Sequence, residues 1–380
     1  MTDKPRKKKS LAPLMVTLIT FLLSGAGGAL GAMWISSFSG DNDALFFVYL
    51  GLMLLSLVLA FLVHIVVHEG GHLIFGRATG YQFVSFNVMG FIWQKQPDGH
   101  VKLGRMKIAG AGGQCLMAPP PYNGGDFPFT LYNLGGVLMN LVLSGLCALL
   151  AWLIPAAPVK IVLAVTAVVG VFTALMNGLP LPVAAIQNDA TNLMCIRRDA
   201  NARQAFWTQM SVAAATAQGV RIKDMPQAWF AEYSDEAMNN PIICAVAVMN
   251  TSRLMDGLQF TQAEEAIRTL LQREKGVLGL YRAQMACDGA VCELLAGRPG
   301  TLTALTDDKE IQQIMTAMKA HPTILRTRYA LALLRDHDAD KAAALLADFE
   351  AAAPKHPNAQ EITGERELIA AIQQAAEGNA

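Results

Sequence analysis

Charge is scarce in this chain, and it is missing in blocks. Asp, Glu, Lys and Arg make up 16% of 380 residues, against roughly a quarter in ordinary soluble domains. No charged residue occurs between Lys9 and Asp41, between Asp43 and Glu69, between Asp126 and Lys160, or between Lys160 and Asp189. With 53% hydrophobic residues and a mean hydropathy of +0.34, that pattern excludes an ordinary soluble protein. Each gap holds the roughly 20 apolar residues that cross a bilayer. Cysteine is sparse too. Cys115, Cys147, Cys195, Cys244, Cys287 and Cys292 form no CxxC pair, which argues against a disulfide framework and a thiolate zinc site and leaves small buried hydrophobes in a reducing compartment.

The formal charge of zero conceals two halves. Residues 1–200 carry 13 Lys and Arg against 8 Asp and Glu, and residues 201–380 carry 17 against 22. The expected fold is mainly α: a polytopic membrane protein with about four transmembrane helices, near 12–37, 44–76, 128–154 and 160–179. A small β-hairpin or sheet at the cytoplasmic face and a C-terminal helical domain complete it. The domains are expected at 1–195, with a β-rich insertion at 81–126, and at 196–380.

Flanking charge sets the orientation. "KPRKKKS" precedes the first span, "SGDND" fills the turn after it, and Arg77, Lys95, Lys102, Arg105 and Lys107 follow the second. The positive-inside rule therefore places both chain ends in the cytoplasm, in a membrane expected to be a bacterial cytoplasmic one. The first span has the basic start of a signal peptide, but "SGAGGALGAMWI" continues apolar past any clean A-x-A site, so it reads as a retained span. Its small residues Gly27, Gly28, Gly31 and Ala32 suit a close-packing helix face.

After the second span, "YQFVSFNVMGFIWQKQPDGHVKLGRMKIAG" is β-rich around a Pro-Asp-Gly turn, as in a hairpin. "GAGGQCLMAPPPYNGGD" follows as a loop. Its glycines and prolines either admit the close approach of another chain or make a flexible connector.

The chemistry lies in "HIVVHEGGHLIF", His64–Phe75, at the end of the second apolar run. On a helix, i and i+4 share a face, so His68 and His72 can hold one metal from adjacent turns. Glu69 between them completes HExxH, in which two imidazoles bind zinc and the glutamate takes a proton from water. Ionisable residues inside a membrane helix are costly and mark function, and this stretch has four in nine positions. At about 1.5 Å per residue from Ala44, His68 lies about 36 Å along the helix, close to the cytoplasmic boundary of a ~30 Å core. His64, one turn earlier, is an extra ligand or gate, or else a histidine satisfied by a neighbouring carbonyl; the second reading is favoured. Gly70 and Gly71 offer bare backbone where an extended substrate could approach the metal.

The third ligand is expected on another element. The fourth span ends "MNGLPLPVAAIQNDATN", where Pro180 and Pro182 break the helix. Asp189 is the only acidic side chain between Asp126 and Asp199; it is expected to be the third ligand, the alternative being a helix cap or solvated aspartate.

HEGGH at 68–72, Asn177, Pro180 and Pro182 as N-x-x-P-x-P, Asp189 after them, and "GGVLMN" ending at Asn140 together resemble the site-2 protease family of intramembrane zinc metalloproteases. The resemblance covers about residues 40–195. It implies that His68, His72 and Asp189 bind one Zn2+, that Glu69 is the general base, and that Asn177 and Asn140 lie on the substrate side, Asn177 holding substrate or the developing oxyanion. It also implies a transmembrane or signal-peptide-like substrate, unwound locally, with the segment at 81–105 suited to edge-strand pairing. Seven positions separate Pro182 from Asp189, more than the family's Leu-Asp-Gly pattern leaves, and Asn188 is a second candidate for part of that role.

From about 196 the chain reads as soluble helices divided by "AGRPG", "KAHPT" and "PKHPN". "CELLAGRPGTLTAL" and "LALLRDHDADKAAALL" look like one helix-turn-helix unit repeated, a weak tetratricopeptide resemblance. Either its concave face recruits a protein partner or substrate tail, or the helices only cap the membrane part. That half has no basic cluster or aromatic platform for nucleic acid. Besides a protease that works against membrane lipid, two further readings are a catalytically silent scaffold binding a client, and a zinc transporter or sensor using His64, His68 and His72.

Overall fold

A computed structural model describes residues 27–105, 112–180, 188–277, 279–356 and 358–378. Among them are a helical stretch α1 (27–39) and three helices long and apolar enough to cross a membrane: α2 (Asp43–Ala78), α3 (Thr130–Leu153) and α4 (Ala157–Gly178). Their apolar side chains do not all face inward. Phe47, Leu54, Leu55, Val58, Leu146, Leu149, Trp152, Val168 and Phe172 are exposed, which water would not tolerate on three helices at once and lipid does. The first expected span, 12–37, falls mostly on residues outside those described; its end coincides with α1.

The chain forms two compact units. One comprises residues up to His64 with Asn140–Thr173; the other comprises Ile65–Met139 with the residues from Ala174 onward. Residues 195 and 196 lie inside α5 (Asp189–Arg198), and a shared core joins the residues on either side. Ile196, Ala202, Ala205 and Met210 of α5 and α6 (Ala200–Ala217) and Ile242, Ile243 and Val246 of α7 (Pro241–Asp256) pack with Tyr81, Cys115, Met117, Phe127, Phe129 and Tyr132.

In the first unit, His64 is fully buried. Its Nδ1 lies 3.0 Å from Asn140 Oδ1 and its Nε2 2.9 Å from the Thr166 carbonyl. A Cβ at Gly170 would sit 2.1 Å from the ring, so the missing side chain is what admits the imidazole. His64 is thus the carbonyl-satisfied histidine favoured from sequence.

In the second unit, four antiparallel strands form a sheet in the order β3-β2-β1-β4: β1 (Gln82–Val88), β2 (Phe91–Lys95), β3 (Val101–Arg105) and β4 (Gly113–Ala118). β2 and β3 make the hairpin expected around Pro97-Asp98-Gly99, and β1 extends it to three strands. The fourth strand lies where a Gly/Pro loop was expected. "GQCLMA" pairs along β1 from Gly113↔Val88 to Ala118↔Gln82, with a register shift between Phe83 and Ser85, and its Cys115 and Met117 are buried. The prolines that suggested a loop begin only after Ala118.

Beyond α7 follow α8 (Phe260–Leu271), α9 (Gly279–Leu295), α10 (Thr301–Leu305), α11 (Lys309–Ala317), α12 (Pro322–Ala330), α13 (Ala339–Ala352) and α14 (Ala359–Gly378). The two repeat-like stretches lie at α9–α10 and at the helical turn Leu331–Arg335 with α13, each with one residue of positive φ at its turn, Gly297 and His337. Two ionic features hold this part. Arg326, fully buried, donates to Glu365 (2.8 Å) and Asp288 (2.6 Å). Glu293, also fully buried, accepts from the backbone amides of Gly300 and Thr303 at 2.8 Å each and so fixes the turn before α10.

Burial alone would raise the Glu293 carboxyl, but the Thr303, Leu302 and Gly300 donors outweigh it and hold it below its ordinary 4.5. A depressed carboxyl stabilises the fold fully above its unfolded value and loses that contribution as pH falls through its folded one. Thermal midpoints measured below pH 4.5 should therefore fall with pH, and Glu293→Gln should flatten that part of the profile while lowering stability at neutral pH.

Candidate metal centre

α2 carries the HExxH residues in its last third, on the part that belongs to the second unit. His68 and His72 share a face, as their spacing requires, with the two Nε2 atoms 3.2 Å apart. Asp189 Oδ2 lies 3.1 Å from His68 Nε2 and 3.6 Å from His72 Nε2. A zinc ion bound tetrahedrally at ~2.0–2.1 Å needs neighbouring donors about 3.3 Å apart. The three measured edges straddle that value.

Two of the three donor residues are held by contacts the chain builds locally. The His72 Nδ1 sits 2.7 Å from the Tyr132 carbonyl; a proton held there turns the Nε2 lone pair toward the other donors. Tyr132 is anchored in turn, its hydroxyl donating to the Cys115 carbonyl at 2.9 Å. Asp189 is positioned by its neighbour. The break at Pro180 leaves carbonyls at the end of α4 without helical donors, and the Asn188 side-chain amide donates to two of them, Met176 (2.8 Å) and Leu179 (2.6 Å). Its Oδ1 caps α5 by accepting from the Thr191 amide at 3.0 Å. Asn188 thus ties the end of α4 to the start of α5, and Asp189, the first residue of α5, is turned to the histidines. The cap is Asn188, not Asp189.

Asp189 Oδ2 is buried and has no hydrogen-bond partner of proper geometry, although it lies within ion-pairing range of both imidazoles. An orphaned buried oxygen is costly, and here it converges with two nitrogen lone pairs. A divalent cation satisfies all three donors, so the residues fit zinc.

Glu69 lies beside them. A Cβ on Gly113 would approach Glu69 Cγ at 2.7 Å, and the Cys115 backbone donates to the carboxyl, so β4 runs across the glutamate. Burial and the Glu69 charge push the Cys115 thiol up to about 12; it stays neutral and supplies no thiolate.

The glycines divide into two kinds. Among the described residues nothing lies within 4 Å of where a Gly70 side chain would start. Gly71 is different: its Cβ would collide with the Gly135 carbonyl at 2.2 Å, and one on Gly136 would strike the His68 ring at 2.4 Å. The "GG" of GGVLMN therefore seats α2 and His68 against α3, with Gly71 packed directly on the Gly135 backbone. Asn140 is 1% exposed and engaged with His64 and Thr173. Asn177 sits in the last turn of α4, next to Gly178, whose Cβ would meet Val137 at 3.0 Å. Pro182 lies outside the described residues. Tyr132 and Gly113 went unnoticed in the sequence; Tyr132 carries no signal there because it acts through its backbone carbonyl.

We expect Gly136→Ala to weaken zinc binding by about 10–100-fold, the usual cost of disturbing a ligand's support. Gly70→Ala should leave binding unchanged. Competition with a chromophoric chelator measures both.

No family model, curated protein or solved structure matches this chain.

Proposed function

We propose that this protein is an intramembrane zinc metallopeptidase of the site-2 type, which hydrolyses a peptide bond within or beside a transmembrane or signal-peptide-like segment. One observation carries the reading: His68, His72 and Asp189, from two elements 117 positions apart in sequence, offer three donors at tetrahedral zinc edges of 3.1–3.6 Å with Glu69 adjacent. Zinc bound there would polarise water and the scissile carbonyl. Glu69 accepts the proton of the attacking water and returns it to the leaving amine. His72, oriented by Tyr132, and Asp189, oriented by Asn188, hold the metal-side geometry, and Asn177 lies on the end of α4 where a substrate oxygen can be held.

β4 is an edge strand crossing Glu69. An unwound substrate pairing with it would lay its backbone across the base. The finer topology belongs to the same proposal: four spans, both termini in the cytoplasm of a bacterium, and a tetratricopeptide-like C-terminal part that receives a protein partner or the substrate's tail. A transporter built on three histidines is less favoured, because His64 is engaged with Asn140 and Thr166.

Membrane-protein fragments compared between cells carrying wild type and Glu69→Gln test this. Fragments present with wild type and absent with the variant support the proposal and identify substrates. Identical fragment sets, with both proteins present at equal levels, contradict it.

A further inference from the structure

Among the described residues, one other cluster of metal-ligating side chains exists: His321, His356 and Glu361, with one donor atom from each lying within 4.8 Å of the others. They come from three element ends. His321 is the residue that caps α12, His356 ends the short helical turn Ala353–Lys355, and Glu361 lies in the first turn of α14. The donors face one another without bonding. His356 Nε2 is 3.8 Å from Glu361 Oε2, beyond a hydrogen bond, and the two imidazole rings meet nearly at right angles with centroids 5.7 Å apart.

We infer that His321, His356 and Glu361 form a second divalent transition-metal site, in the C-terminal helical part and separate from HExxH. Two imidazoles and a carboxylate are the donor set of late first-row ions such as Zn2+, whereas Ca2+ and Mg2+ require oxygen ligands. The supporting contacts suit that role. The Asn358 backbone holds the His356 ring at Nδ1, its carbonyl 3.2 Å away and its amide 3.3 Å away, which leaves Nε2 on the side of Glu361. Asn358 Oδ1 accepts the Glu361 amide at 3.3 Å and fixes the start of α14 beneath the carboxylate. The donors lie within 4.8 Å of one another and the His356–Glu361 pair at 3.8 Å, so reaching the ~3.3 Å edge of a tetrahedral zinc site requires at most about 1.5 Å along any edge, which the half-buried setting of all three allows. Three protein ligands leave a fourth position for water.

The site has a consequence for its surroundings. Glu361 also lines a cavity of about 250 Å³ with Thr323, Arg326, Gly364 and Glu365. Metal binding would fasten α12, the His356 turn and α14 together at the edge of that cavity. The ion acts as a clip on the last helix of the chain.

The test uses the full chain in detergent, loaded with Zn2+, desalted and analysed for metal. Wild type should hold one zinc for each cluster. His68→Ala/His72→Ala should lose one and keep the other, and His321→Gln/His356→Gln should do the reverse. A wild-type zinc count in the His321→Gln/His356→Gln protein overturns the inference. An unchanged count in His68→Ala/His72→Ala would instead count against the peptidase site, so the two failures are distinguishable. As a check independent of those substitutions, Zn2+ should raise the thermal midpoint in the His68→Ala/His72→Ala background, and Glu361→Gln should remove that rise. A rise that survives Glu361→Gln also overturns the inference.

Discussion

Glu69→Gln should bind zinc as wild type does and cleave a membrane-helix substrate about 10²–10⁴-fold more slowly, the range that a positioned acid–base group contributes. The two halves of that result come from different atoms. In the proposed site zinc would be held by His68, His72 and Asp189, whose donors lie 3.1–3.6 Å apart without help from Glu69. The amide of glutamine keeps the volume that Gly113 accommodates, where any side chain would sit 2.7 Å from the glutamate Cγ, but it cannot accept a proton from water. Metal content and cleavage rate on the same preparation check both halves. A variant that loses metal would mean Glu69 helps bind it, and a variant that cleaves normally would remove the base from the mechanism.

Asp189→Ala should have the second large effect, on metal affinity. It removes one of three donors, so the loss should exceed the ~100-fold that disturbing an outer support costs. It also leaves two imidazoles 3.2 Å apart with no anion between them. Asn188→Ala makes a graded companion. It removes the cap of α5, worth about 1 kcal/mol, and frees the Met176 and Leu179 carbonyls, so Asp189 drifts while remaining chemically intact. Zinc affinity should therefore rank wild type, then Asn188→Ala, then Asp189→Ala. Equal affinity in Asp189→Ala and wild type would exclude Asp189 as a ligand.

The parts of the fold legible in the sequence are those set by short-range rules. Charge-free runs gave α2, α3 and α4 because lipid requires apolar length, and i,i+4 spacing placed His68 and His72 on one face. Turn chemistry at Pro97-Asp98-Gly99 gave the β2–β3 hairpin. What stayed hidden depends on long-range contact. β4 exists because "GQCLMA" finds β1 as a partner, and nothing local distinguishes it from the Gly/Pro loop around it. Gly71 reads as open space beside a metal until Gly135 is seen against it. Asn140, quoted within GGVLMN as a substrate-side residue, is engaged by His64, whose need for a partner is visible but whose choice of one is not. Composition changes near 195, and no local feature there announces that Ile196 and Ala202 share one core with Tyr81 and Phe129.

The central claim is tested most directly by mapping product termini. Zinc-loaded protein in liposomes with a panel of single-span membrane peptides should produce a cut within or at the edge of the apolar segment, and that cut should disappear with a zinc chelator and with Glu69→Gln. A protein that holds zinc at His68, His72 and Asp189 yet leaves every peptide intact, or cuts them equally well as Glu69→Gln, would contradict the account.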